Sequence, residues 1–373
     1  MKKIRAFLDR KNVLTSPRLY FIDALAAMAQ GLFCTLLIGT ILNTLGSQLH
    51  IGFLNANIVT IALGKNTISY TIGGLCSALV GPGMAVAIAN ALKAPPMVLF
   101  SMIPVGFAAN AMGGAGGPLS VYFVALVAAE LGKIVSKETK VDILVTPLVT
   151  ILSGIGFASL VAAPIGVAAN AVGSFIMWAT ELQPFFMGMI VSVVIGIALT
   201  LPISSAAICA ALGLTGLAGG AAVAGCCAQM VGFAVMSYRE NRMGGLVAQG
   251  LGTSMLQMGN IVKNPRIWIP PTLASAITGP LATCLFNFQM NGTAVSSGMG
   301  TCGLVGPIGV VTGWFSPSET ALEQGATAIS PTALDWVGLM LICAVLPAVL
   351  SLIFGEILRK IGWIKQDDLK LNV

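Results

Sequence analysis

Runs of about 20 consecutive apolar residues recur along this chain, each long enough to carry a helix across a hydrocarbon core of roughly 30 Å. Two examples are "LAAMAQGLFCTLLIGTILNTLG" at Leu25–Gly46 and "LDWVGLMLICAVLPAVLSLIFG" at Leu334–Gly355. Little is left to face water, since 9% of the residues are charged against about 25% in ordinary soluble domains. The runs are continuously apolar, whereas a membrane β-barrel would alternate polar and apolar positions. An all-α polytopic membrane protein is therefore expected.

Full crossings are expected near residues 20–46, 66–92, 97–112, 117–134, 142–163, 184–201, 216–236, 267–289 and 334–358. Basic residues mark the amino terminus, Lys93, Lys133 to Lys140, Arg239 to Arg242, Lys263 to Arg266 and the stretch from Arg359 to Lys370. The loops around Glu181 and Phe315–Gly325 carry acid and no base. The positive-inside rule then puts both termini in the cytoplasm, which demands an even number of crossings. Nine full crossings are odd, so the apolar pieces near 165–180, 203–214 and 303–314 must supply a short crossing and re-entrant half-helices. Such interruptions survive at membrane depth only where protein or a wet cavity satisfies the backbone, and transporters place binding sites there. The basic start "MKKIRAFLDRKNVLTSPR" reads as a retained cytoplasmic segment, not a signal peptide.

Several function classes drop out. The eight cysteines lie singly in apolar runs apart from Cys226–Cys227, and His50 is the only histidine. No metal site, cofactor or catalytic residue is expected from that pattern. The net charge of +6 follows from topology, so no nucleic-acid partner is implied. The expected partners are the lipid bilayer and a small polar solute.

Internal similarity points the same way. "PVGFAANAMGG" at Pro104–Gly114 and "PIGVAANAVGS" at Pro164–Ser174 share one pattern, and "CSALVGPGMAV" at Cys76–Val86 is echoed by "CGLVGPIGVV" at Cys302–Val311. Many transporter folds are built on internal repeats. Small residues let helices approach closely, and an asparagine in hydrocarbon needs a partner. Asn110 and Asn170 are thus candidates either for interhelical hydrogen bonds or for holding a polar solute.

Two polar stretches interrupt the apolar pattern. In "SYRENRMGGLVAQGLGTSMLQMGNIVKNPRIWIPP", residues 237–271, Gln249, Thr253, Gln257 and Asn260 recur at the spacing of one helix face. An interfacial helix would carry lysine or arginine on its polar face. Uncharged amides and hydroxyls suit a neutral wet cavity or packing against other helices. The arginines before them fix orientation, pair with Glu240 or lipid phosphate, or form a gate or docking surface; Trp268 reads as an interfacial anchor. In "NFQMNGTAVSSGMGTCGLVGP", Asn287–Pro307, polar side chains and glycines occupy expected membrane depth. Asn291, Ser297 and Thr301 are candidates for solute contact, with a helix beginning near Thr301 aiming free N–H groups at the loop. An ordinary extracellular loop is the alternative.

The 237–271 stretch, with "GPLATCLFNFQMNGTAVSSGMGTCGLVGPIGV" after it, resembles the PfoR-type group of membrane proteins, which in turn resembles the EIIC permease of the sugar phosphotransferase system. The resemblance covers nearly the whole chain from Arg18 on. It implies a cytoplasmic segment over 1–19, a single EIIC-like permease domain over 20–358 and a cytoplasmic tail over 359–373. It further implies about 8–10 transmembrane helices plus re-entrant half-helices, elevator-type architecture and a homodimer in the bacterial inner membrane. The implied function is translocation of a small polar solute, a sugar in the first instance, with separate soluble phosphotransferase components as partners. A phosphorylation-independent secondary transporter and a membrane sensor of PfoR type are the alternatives. One departure matters: sugar EIIC permeases carry an intramembrane glutamate in a T-E-P-like hairpin, and this chain has "SSGMGTCG" there, with Glu319 the nearest carboxylate.

Overall fold

Backbone in hydrocarbon must satisfy its own hydrogen bonds, and the apolar runs do so as helices. The computed structural model describes residues 7–11, 13, 16–48, 50–63 and 66–371. Helical stretches Leu19–Ser47, Pro96–Val135, Asp142–Thr180, Gly216–Met236 and Ala333–Lys360 are each long and apolar enough to cross a bilayer. Ile72–Ala78 and Val80–Ala91 add another if taken as one span bent by 53°. Among the described residues the only sheet is a hairpin of Val59–Leu63 with Asn66–Tyr70. The chain is an all-α polytopic membrane protein.

Pro96–Val135 folds back on itself. Gly114 stands at φ +51° between Pro96–Gly113 and Gly117–Val135. Gly132 then packs on Val98, and Gly113 on Ser120. Those pairings belong to an antiparallel hairpin, so the stretch holds two helices where crossings are expected near 97–112 and 117–134.

Three expected boundaries move. The crossing expected from residue 66 begins instead with the strand Asn66–Tyr70, because "NTISY" alternates and is rich in β-favouring side chains. The expected pieces 142–163 and 165–180 are one helix, Asp142–Thr180, of 39 residues. At 1.5 Å per residue it is about 58 Å long, and Pro147 and Pro164 lie inside it without ending it. The expected half-helices near 203–214 and 303–314 are the short helices Ser205–Ala211 and Val305–Phe315.

The chain divides into two compact units, one through Ala168 and one from Ala169 onward. In the first, glycines allow close crossings: Gly31 meets Gly83, and Gly81 meets Gly106 backbone to backbone. Gly116 approaches the carbonyl of Ile165, and Gly166 that of Gly113. A buried ion pair joins Lys133 to Glu130 at 2.8 Å.

The second unit is built around Gly216–Met236, which is 89% buried over its apolar window. Its glycines again set the spacing: Gly225 lies on the Ser192 carbonyl, Gly220 on the Phe288 carbonyl, and Gly232 on Ser351. Hydroxyls tie the same helices together, with Ser192 Oγ donating to the Ser275 carbonyl at 2.7 Å. In the "SYRENR" cluster Glu240 pairs with Arg359 at 2.7 Å, their side chains 3% and 13% exposed. Arg239 pairs with Glu356 at 3.0 Å.

Candidate functional site

The first polar stretch is a broken helix. It is helical over Tyr238–Val247 apart from a kink at Arg242 (φ 52°, ψ −151°), makes a π-turn at Ala248–Gly252, becomes extended at Thr253 (φ −158°, ψ 140°), and resumes as Ser254–Gln257 and Met258–Lys263. Gly250 and Gly252 weaken the helix here, and the Thr253 hydroxyl caps the Met255 amide at 3.2 Å. The spacing of Gln249, Thr253, Gln257 and Asn260 therefore does not become one continuous helical stripe.

All four side chains are buried, and three form a chain of amides. Asn260 Nδ2 donates to Gln257 Oε1 at 2.8 Å, and Gln257 Nε2 donates to Gln249 Oε1 at 2.8 Å. Gln249 Nε2 donates to Ser237 Oγ at 2.7 Å and to the Gly245 carbonyl at 3.0 Å. The remaining amide hydrogens reach the carboxy-terminal stretch: Gln257 to the Leu369 carbonyl at 3.0 Å and Asn260 to that of Lys370 at 2.9 Å. Asn241 grips the same strip, donating to the Leu369 carbonyl and accepting from the Leu371 amide, each at 2.8 Å. These amides hold the tail against the broken helix.

The second stretch begins as extended chain. Met290 exchanges two backbone hydrogen bonds with Gly216, at 2.9 and 3.0 Å. Phe288 and Met290 enter a core with Trp314 and Ile342. Asn287 stands at φ +44° ahead of the extended segment, and Phe288 borders a neighbouring cavity as well as the core. Asn287 and Gln289 line that cavity, of about 120 Å³, with Phe286, Trp314, Ile329 and Asp335. Asp335 engages the Thr332 amide and hydroxyl through Oδ2, at 2.7 and 2.8 Å. Asn291 donates to Gln289 Oε1 at 3.3 Å, and its own buried Oδ1 has no hydrogen-bond partner.

Beyond Asn291 the chain turns back against the central helix. Ser297 donates to the Leu214 carbonyl and Ser205 to the Gly298 carbonyl, both at 2.7 Å. Gly300, at φ +51°, lies on Cys226 where a β-carbon would collide, and Thr301 donates weakly to the Met230 sulfur at 3.6 Å. The following helix starts at Val305 rather than near Thr301, because Gly303 and Leu304 both adopt left-handed backbone. The turns Ala248–Gly252 and Cys302–Leu304 are neighbours, so the two interrupted stretches converge beside Gly216–Met236.

Asn110 belongs to the unit through Ala168, and Asn170 makes none of the contacts just described. Asn110 is half-buried at a crossing with Gly81 and Gly117. Asn170 is exposed on the Asp142–Thr180 helix. Gln229 is the polar residue that the sequence reading passed over. It is buried midway along the central helix and accepts from Trp268 Nε1 at 2.9 Å and Thr200 Oγ1 at 3.3 Å. Its amide donates to Thr272 Oγ1 at 3.3 Å, and Thr200 continues to Ser254 at 2.8 Å. The signal was available, since a lone amide within an apolar run demands partners. Trp268, read as an interfacial anchor, spends its indole N–H on this network.

A family model described as "Phosphotransferase system, EIIC" matches residues 22–371. Neither curated proteins nor solved structures yield a significant match.

Proposed function

The chain belongs to the phosphotransferase system EIIC family, and we propose that it is a permease for a small hydroxylated solute, a sugar or polyol, in the bacterial inner membrane. The observation that carries this reading is Asn291, whose buried Oδ1 lacks a partner and whose Nδ2 donates to Gln289, one of the residues that line the amide-bearing cavity. Amides both donate and accept, which is what a hydroxyl requires. Trp314 offers an apolar face in the same cavity, and Asp335 offers an acceptor for a solute hydroxyl. Ser297 and Thr301 shape the turn behind the site; Gln249, Thr253, Gln257 and Asn260 brace the neighbouring turn.

Every residue of this candidate site lies in the unit from Ala169 onward. That supports giving this unit the carrying role in an elevator-type cycle, within a homodimer whose termini face the cytoplasm as the basic loops demand. Soluble phosphotransferase components would phosphorylate the solute on the inner side. Uptake without phosphorylation is a second reading, favoured by one observation: the turn "SSGMGTCG" contains no carboxylate.

A thermal-shift screen of the purified protein against sugars, polyols, nucleobases and organic acids, followed by uptake into proteoliposomes, tests both. A ligand selective for the folded state raises the melting temperature with concentration. Sugar-dependent stabilisation, with uptake that needs phosphoenolpyruvate and the soluble components, supports the first reading. Uptake independent of them supports the second. Stabilisation by none of the hydroxylated solutes, with no uptake, removes both.

A further inference from the structure

In the unit through Ala168, a cavity of about 420 Å³ opens beside the ends of the helices Val80–Ala91 and Gly117–Val135. Arg10, Lys11, Lys93, Lys133 and Lys137 line it, against the single carboxylate of Glu138. That carboxylate is already engaged, since one oxygen meets Arg10 at 2.7 Å and Lys11 at 2.5 Å. Lys133 is buried on Glu130 at 2.8 Å and on the Leu92 carbonyl at 3.1 Å. The ammonium groups of Lys93 and Lys137 are different: both residues are exposed, and among the described residues neither group makes a hydrogen bond or ion pair.

The backbone adds an independent sign. Lys93 and Lys137 stand at φ +55° and +61°, just after the ends of the two helices, in the left-handed region where glycine is the usual residue. A side chain there strains the turn, and strained positions of this kind gather at functional sites. Orientation in the membrane and the negative helix ends would each favour nearby lysines. Neither demands that five cations converge on one concavity, or that two of them occupy strained turns.

We propose that this cavity binds the phosphate group of an organic anion. A phosphate dianion matches the surplus of positive charge, and the planar fork of Arg10 and the point charges of the lysines are the usual donors to its oxygens. The cavity is large enough to admit part of the remainder of the molecule as well. A soluble phosphomonoester and a phospholipid headgroup share this chemistry. The inference stands independently of the solute reading.

The test uses the full chain in neutral detergent, titrated with glycerol 3-phosphate against glycerol, and in parallel exposed to phosphatidylglycerol against phosphatidylcholine with native mass spectrometry as the readout. The Lys93→Gly/Lys137→Gly double variant removes both cations while giving each turn its preferred residue, so folding is preserved. Lys263→Gln, in the other unit, is the control. Binding of glycerol 3-phosphate that weakens with salt, and at least about tenfold in the glycine variant but not in the control, supports a soluble phosphomonoester. Selective retention of phosphatidylglycerol, lost only in the glycine variant, supports a headgroup. Binding of neither phosphate probe by the wild type, or binding unchanged in the glycine variant, overturns the proposal.

Discussion

Asn291 donates from Nδ2 to Oε1 of Gln289 at 3.3 Å, while its own Oδ1 is buried without a partner. A buried acceptor left unsatisfied costs about 1–3 kcal/mol, so removing it is not expected to harm the fold. Asn291→Ala should leave the melting temperature unchanged or raise it, while solute affinity falls at least about tenfold, the loss of one good hydrogen bond. Thermal shifts with and without solute separate the two effects. A destabilised variant with unchanged affinity would assign Asn291 to packing alone.

The opposite pattern is expected at Gln257. Its side chain joins Gln249, Asn260 and the Leu369 carbonyl; Gln257→Ala strands Gln249 Oε1 and one Asn260 amide hydrogen, and leaves the Leu369 carbonyl with Asn241 alone. A cost of about 2–4 kcal/mol follows from leaving such groups unpaired. The first visible consequence should be release of the tail from Ile361 to Leu371, read as faster amide exchange there. Solute affinity at the Asn291 face should change little. Tail exchange that stays at the wild-type rate would count against the latch.

The membrane class and the interruptions near 203–214 and 287–307 were legible because both depend on local composition. What was not legible depends on partners distant in sequence. The amide row reads equally well as the lining of a wet cavity or as a brace, and the choice was made by the carbonyls of Leu369 and Lys370, more than a hundred residues away. Pro164 looked like a boundary, yet the helix runs through it. Gln229 was hidden by the apolarity of its own helix, although its burial without charge required partners such as Trp268. Polar alternation over Asn287–Asn291 is visible in the sequence, but the cavity that Asn287 and Gln289 line needs Trp314 and Asp335 from later elements.

The repeated motif illustrates the same limit. Identical local sequence suggests that Asn110 and Asn170 are equivalent, whereas the fold puts the first at the crossing with Gly81 and Gly117 and the second on an exposed helix face. Asn110→Ala should therefore cost about 1–2 kcal/mol through lost packing, and Asn170→Ala no more than about 0.5 kcal/mol. Detergent-resistant melting of the two single variants checks this. Equal losses would restore the equivalence that the repeat implies.

Acid should loosen the amino-terminal segment. The hydrogen bond from Lys11, reinforced by the charges of Lys11 and Arg10, holds the Glu138 carboxyl below its ordinary value of 4.5. A pKa lowered in the folded state contributes stability in full above the ordinary value and loses it as pH falls through the folded one. The clasp of Arg10 and Lys11 on Glu138 should thus persist at neutral pH and open only below about pH 4.5. Glu138→Gln removes the charge at every pH. Amide exchange over residues 7–11, corrected for intrinsic rates, should then be fast already at pH 7 and show no further acid-induced rise. Slow exchange in Glu138→Gln at pH 7 would show that the segment is held by contacts other than this carboxylate.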